Sequence, residues 1–308
     1  MGDRANFVVV SESGEYELYL SRFGAAGIDL DLLTGPAEAL SMIRRLETSD
    51  WWLDDVQCQG AALVDLGRKV LMLFAWEGPS TEMRHRAATL ELLREAWAGW
   101  DVRWMYDGPA ELRSYLGLDP AYVRAREGGL VVGPLLGPDD EELAEPEPMV
   151  VVVTIGTEHC YVLANIGDHP VREGPALLDR LAGGPECGVR PTSADAGIHV
   201  DPLRRLVGWW VLGASAEAYE MPQRWPGWTV EFWQDRWAEH VRSAPGRFSP
   251  PPVDHARALA DVRTSAGRYR EARPRVSCGT RQDPCSGVVP DGGPEAVARD
   301  ENAETSPT

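Results

Sequence analysis

A chain of 308 residues with 44% hydrophobic content can bury more than one core, which excludes fibrous and wholly disordered classes. Its net charge of −18, with Lys69 as its single lysine, disfavours nonspecific binding to nucleic acid or anionic membranes, because phosphate is held by basic patches and none is visible. Five cysteines without a CxxC pair (Cys58, Cys160, Cys187, Cys278 and Cys285) point to reduced thiols and away from a disulfide framework or a zinc site.

The first apolar run, 7–10, is too short for a signal-peptide core, and no later run reaches membrane-span length, so a cytoplasmic location is expected. Together with 16–20 it predicts a hairpin turning at Ser13 and Gly14. Gly35 and Pro36 then open a helix carrying Leu40, Ile43 and Leu46 at helical spacing. Strands at 61–65 and 70–74 flank a turn containing Arg68 and Lys69, and a helix at 84–97 presents Leu90, Leu93 and Trp97 on one face. A strand at 101–105 and a closing helix at 109–116 complete the order ββαββαβα.

Residues 118–148 read as an acidic, Gly/Pro-containing connector with eight Asp and Glu against two Arg, exposed over its second half. Residues 149–244 then repeat the first segment. A segment at 198–201 ending in Asp201 as the earlier strand ends in Asp65, the basic pair Arg204-Arg205, an apolar run at 206–212, a helix shortened by Pro222, and Trp225-Pro226-Gly227-Trp228 follow in the same order. Upstream, 150–154 and 158–163 answer the first hairpin, and Gly174-Pro175 answers Gly35-Pro36. The expected fold is α+β, a tandem duplication of one ββαββαβα module over 1–117 and 149–244. Mainly antiparallel sheets with helices on one face are expected, since several strands are joined by turns too short for a crossover. Past residue 245 the composition shifts to Ser, Pro, Gly, Arg and Asp, which predicts a mostly disordered tail. A stretch at 253–272 is amphipathic enough to dock as a helix, with Asp254 placed to cap it.

The repeated Trp97, Gly99, Trp100 and Trp225, Gly227, Trp228 form a motif with a direct structural account: a helix ends, glycine takes the left-handed position, and the chain turns into a strand. The competing reading makes these indoles a platform for a sugar, peptide or cation. Trp51-Trp52-Leu53-Asp54-Asp55 has no counterpart in the second copy and joins two aromatics to two carboxylates in a loop. Trp51, Trp52, Asp54 and Asp55 are therefore the candidate partner-binding residues. Their structural alternative is that the indoles plug one end of a sheet while the aspartates cap a turn. Glu231, Asp235 and Glu239 with Arg236 and His240 read as a solvated, charged helix face.

No HExxH pattern, G-x-S-x-G elbow, Cys-His signature or phosphate-cradling glycine loop occurs, so no catalytic residue, metal ligand or cofactor is assigned. The function expected is that of a non-catalytic cytoplasmic module presenting an acidic, Trp-bearing surface to a protein with a basic surface. In type it resembles the immunity proteins that neutralise bacterial toxins; the resemblance rests on acidity, size and tryptophan content, and it implies occlusion as the mechanism. The alternative is an enzyme or small-molecule sensor with its site in the cleft between the modules. A structural adaptor, spaced by the acidic connector, is a third reading.

Overall fold

The structure is a computed structural model and describes residues 3–125, 149–165, 168–187 and 190–272. Its first sheet contains β1 (Ala5–Val10), β2 (Tyr16–Ser21), β3 (Glu47–Thr48), β4 (Gly60–Asp65), β5 (Val70–Ala75) and β6 (Asp101–Trp104), in the order β3-β2-β1-β4-β5-β6. The pairs β2/β3, β1/β2 and β4/β5 are antiparallel, whereas β1/β4 and β5/β6 are parallel. Every residue of β1, β4 and β5 is buried. Strands covered on both faces cannot alternate with polar residues, which is why these segments read as mostly apolar runs, with Asn6 and Asp65 their polar members. Helices α1 (Ile28–Leu32) and α2 (Pro36–Ile43) fill the connection from β2 to β3, α3 (Met83–Ala96) crosses from β5 to β6, and α4 (Pro109–Tyr115) follows.

The second sheet contains β7 (Met149–Ile155), β8 (His159–Asn165), β9 (Ala196–Asp201), β10 (Leu206–Val211) and β11 (Thr229–Phe232), in the order β11-β10-β9-β7-β8. Helices α5 (Ala176–Leu181), α6 (Met221–Arg224) and α7 (Trp237–Ser243) connect and close it. With β3 set aside, the first sheet runs β2-β1-β4-β5-β6 and the second β8-β7-β9-β10-β11, with the same parallel and antiparallel joints. The turns agree as well. Asp65 Oδ1 accepts from Arg68 N at 2.8 Å, and Asp201 Oδ1 from Arg204 N at 3.1 Å. Lys69 and Arg205 both take positive φ, 55° and 49°, and their carbonyls accept the amides of Asp101 and Thr229 at 2.8 Å each. The molecule is α+β, and its two sheet-bearing halves fit a tandem duplication.

α8 (His255–Ala272) returns from the second half to the first. Ala258 and Val262 join Ala88 and Leu92 of α3 in one apolar cluster, and Tyr269 Oη donates to the Ala26 carbonyl at 2.9 Å. Asp254 Oδ1 caps this helix by accepting from Arg257 N at 3.0 Å, as its sequence position predicts. Contacts unite the chain as far as Ala272 into one compact unit. The expected connector beyond residue 125 and the expected tail from residue 273 lie outside the described residues. Among those described, no helix is long and apolar enough to cross a membrane.

Candidate functional site

Each Trp-x-Gly-Trp segment ends a helix and leads into the last strand of its sheet. Gly99 (φ 82°) and Gly227 (φ 79°) hold the left-handed position, and the turn closes through Trp100 N to Trp97 O at 2.9 Å and Trp228 N to Trp225 O at 3.1 Å. Trp97 and Trp225 are fully buried, and their indole N–H groups donate to Leu32 O at 2.7 Å and Val171 O at 2.8 Å. Each meets its companion, Trp100 or Trp228, edge to face at 4.9 and 5.3 Å. An indole with covered faces and a committed N–H has little left to offer a ligand, so the first Trp of each pair is scaffold.

The Trp51–Asp55 loop divides its residues between interior and surface. Trp52 is 6% exposed, packs 6.3 Å from the Tyr16 ring, and carries the Arg113 guanidinium 5.1 Å from its own. Asp54 Oδ1 caps the turn that follows, accepting from Val56 N at 3.1 Å and Gln57 N at 2.8 Å. Asp55 accepts from Ala125 N at 2.8 Å and faces Arg124 at 3.7 Å; burial nonetheless pushes its carboxyl above the usual range. Trp51 alone stands out, at 54% exposure. Tyr122 is equally exposed at 55% and also holds the Arg113 guanidinium, 4.4 Å from its ring, while Asp55 N ties the loop to Val123 O beside it. The structure thus keeps Trp51 toward solvent, buries Trp52, leaves Asp54 and Asp55 both half-buried and hydrogen-bonded to backbone amides, and adds Tyr16, Tyr122 and Arg113 from distant positions in the chain.

Where the halves meet, Arg86 of α3 is 1% exposed and donates from Nε to Asp235 Oδ2 at 2.8 Å and from Nη1 to Ser80 O at 2.8 Å, with its guanidinium 4.0 Å from the Trp104 ring. Trp104 Nε1 donates to Gly213 O at 2.9 Å, Ser215 N to Tyr106 O at 2.8 Å, and Tyr106 meets Phe232 edge to face at 5.3 Å. Burial pushes the Tyr106 phenol up to about 12. Nearby, Arg124 pairs with Asp107 at 2.6 Å and Arg172 with Glu217 at 3.2 Å. An open groove of about 660 Å³ flanks the Arg86–Asp235 pair, lined also by Leu90, Glu91, Glu95 and Trp237. Its carboxylates are engaged, Glu91 with His255 at 2.8 Å and Glu95 with Arg263 at 3.6 Å. Packed aromatics and paired charges fill the junction.

The second sheet encloses a polar chain that the sequence did not reveal. Trp210 Nε1 can only donate, so His240 Nδ1 accepts at 3.0 Å; the remaining ring proton is then on His240 Nε2, 2.7 Å from Thr154 Oγ1, and that hydroxyl shares a further hydrogen bond with His199 Nδ1 at 2.9 Å. Acceptance at Nδ1 requires the His240 ring to be neutral. Burial accordingly holds His240 down at about 3 and lowers His199. The charged helix face expected from 231 to 240 is corrected here. Glu231 belongs to β11, Asp235 is the partner of Arg86, and His240 is fully buried. A period-four row has meaning only on one helix, and this one spans a strand, a loop and α7.

Among the described residues, no three or more His, Cys, Asp or Glu side chains converge as a metal site. Comparison of the chain with protein-family models, curated proteins and solved structures finds no match.

Proposed function

We propose that this is a non-catalytic cytoplasmic protein that binds a protein partner through the surface around Trp51. The observation that carries this reading is the more-than-half exposure of Trp51, next in sequence to Trp52, whose ring and that of Tyr122 both hold the Arg113 guanidinium. An indole offers much contact area with few rotors to freeze, and neighbours already held in place lower the ordering cost of association. Asp50 and Asp54 flank the exposed ring in a chain of net charge −18, which suits a basic partner surface and favours steered encounter. Occlusion of a basic toxin site, as in immunity proteins, is the form of binding most consistent with these properties.

The products of genes adjacent to this one are the first partners to test, by association and dissociation kinetics at two salt concentrations. Asp54→Lys should slow association, with a smaller effect on dissociation. Trp51→Ala should speed dissociation by roughly tenfold or more, the scale of one interface anchor. Unchanged rates in folded variants would remove this surface from consideration, and turnover of a small molecule by the wild-type protein would move it to the enzyme class.

A further inference from the structure

A pocket of about 410 Å³ in the second half is lined by Thr157, Cys160, Cys187, Arg190, Gly246 and Arg247, and among the described residues no carboxylate lines it. That is notable in a chain with 48 acidic residues against 30 Lys and Arg. Arg247 donates from Nε to Thr157 O at 2.7 Å, and Arg190 lies beside the Gly246 backbone. Glu186, adjacent to Cys187, pairs with His159 Nδ1 at 2.8 Å. The pocket wall therefore presents two guanidinium groups and two sulfurs, a combination suited to a small ligand with carboxylates and thiol reactivity.

The backbone brings the two cysteines together. β8 is the edge strand of its sheet, and Cys187 N, on the loop running along its free side, donates to Cys160 O at 2.8 Å. This bond, together with the lining of one pocket by both residues, sets the two cysteines side by side, the placement that a disulfide requires. Cys160 is buried, and burial together with the neighbouring Cys187 sulfur pushes its thiol up to about 12. Cys187 is half-buried and so is the sulfur that an incoming reagent meets.

We propose that this pocket is a thiol–disulfide exchange site for a small anionic disulfide, with Cys187 as the attacking thiol and Cys160 as the resolving thiol. Cys187 Sγ, as thiolate, attacks one sulfur of the reagent; the reagent S–S bond breaks, a mixed disulfide forms on Cys187, and one small thiolate leaves. Cys160 Sγ then attacks Cys187 Sγ, passing its proton to the second departing thiolate. Two protein thiols are oxidised to one disulfide, and one disulfide is reduced to two small thiols. Arg190 and Arg247 orient the reagent's carboxylates during the first step. The product clamps the loop carrying Cys187 to the β8 edge.

The test treats the full chain with oxidised glutathione or with neutral 2-hydroxyethyl disulfide, each rate divided by the rate with a free cysteine peptide. Peptide mapping should find a Cys160–Cys187 bridge, while fully buried Cys58 stays reduced. The normalised rate should favour the anionic reagent by about tenfold, and Arg190→Gln should cut that preference to about threefold without changing the neutral rate, since one guanidinium charge of two is removed. Cys187→Ser should leave Cys160 unmodified. Equal normalised rates for the two reagents, an adduct on Cys187 that never resolves in the wild type, or a bridge formed only after unfolding would each overturn the proposal. The Arg190 arm stays decisive even if a cysteine variant does not fold.

Discussion

Trp51 and Trp52 are adjacent in sequence and opposite in environment, which makes them a test of how far burial sets the cost of a residue. Trp52→Ala removes a core side chain held between Tyr16 and Arg113 and should cost about 3–5 kcal/mol in urea unfolding, whereas Trp51→Ala should change stability by no more than about 0.5 kcal/mol. The loop itself was legible as an aromatic and acidic segment without a counterpart. Which indole turns inward was not, because Arg113 and Tyr122, the residues that decide it, lie more than fifty positions away. The histidines show the same limit, since His240 gives no local sign that Trp210 and Thr154 will enclose it. His169 and His240 are each lowered to about 3 by burial, against an unfolded value near 6.5. Their contribution to stability is therefore fully present above about pH 6.5 and is lost as pH falls toward about 3, by up to about 1.4 kcal/mol per pH unit for each ring. Urea unfolding followed between pH 6.5 and 5 should show stability falling with an uptake approaching two protons from these two rings, to which His199, also lowered by burial, adds with the same sign. An uptake below one would mean that these rings are not held neutral. Asp29, Asp55 and Glu111, whose carboxyls burial raises, act with the opposite sign, so their replacement by Asn or Gln separates their part from that of the histidines.

At the level of elements, the repeated order was readable because the central strands are mostly apolar runs and each Trp-x-Gly-Trp marks a helix-to-strand turn. Elements without a strong period escaped. β3 has only two residues, and α1 carries Asp29 and Asp31, which make it look like a loop. Asp29 is in fact fully buried, accepting from Leu30 N at 2.8 Å and Ser80 N at 2.9 Å. Two glycine positions separate backbone strain from steric overlap. A Cβ at Gly99 would meet nothing within 4 Å, so Gly99→Ala should cost only the left-handed penalty, about 1 kcal/mol. Gly174, at φ 65°, lies directly beneath the Arg224 carbonyl, the residue before Trp225, and a Cβ there would overlap that oxygen. Gly35 lies in the same way against Ala96 O, the residue before Trp97, at 3.1 Å for the added carbon. Gly174→Ala should therefore cost about 3 kcal/mol or more. Equal losses for Gly99→Ala and Gly174→Ala in thermal or urea unfolding would show that the close approach carries no weight.

At the scale of the whole molecule, the sequence indicated two copies but gave no account of how they join. The junction depends on Arg86, one arginine among several on an amphipathic helix, whose significance appears only when Asp235 of the other half arrives beside it. Trp104 and Tyr106 bond to the Gly213–Ser215 turn across the same boundary, and α8 binds the end of the second half back onto α3 of the first. Contacts of this kind make independent unfolding of either half costly. Calorimetry should thus give one transition over the described unit, with calorimetric and van't Hoff enthalpies in agreement. Asp235→Ala leaves the Arg86 guanidinium buried without a counter-charge in its hydrogen bonds, only the Ser80 carbonyl and the Tyr106 hydroxyl remaining, and should cost about 3–5 kcal/mol. Arg86→Ala should cost less for the lost charge, because Asp235 keeps some solvent contact and can rehydrate, although it also empties the space over Trp104. The double variant Arg86→Met with Asp235→Leu removes both charges, keeps the volume, and should recover most of the loss. Two resolved transitions in the wild type, or an Asp235→Ala cost below about 1 kcal/mol, would show that the buried pair does not couple the halves.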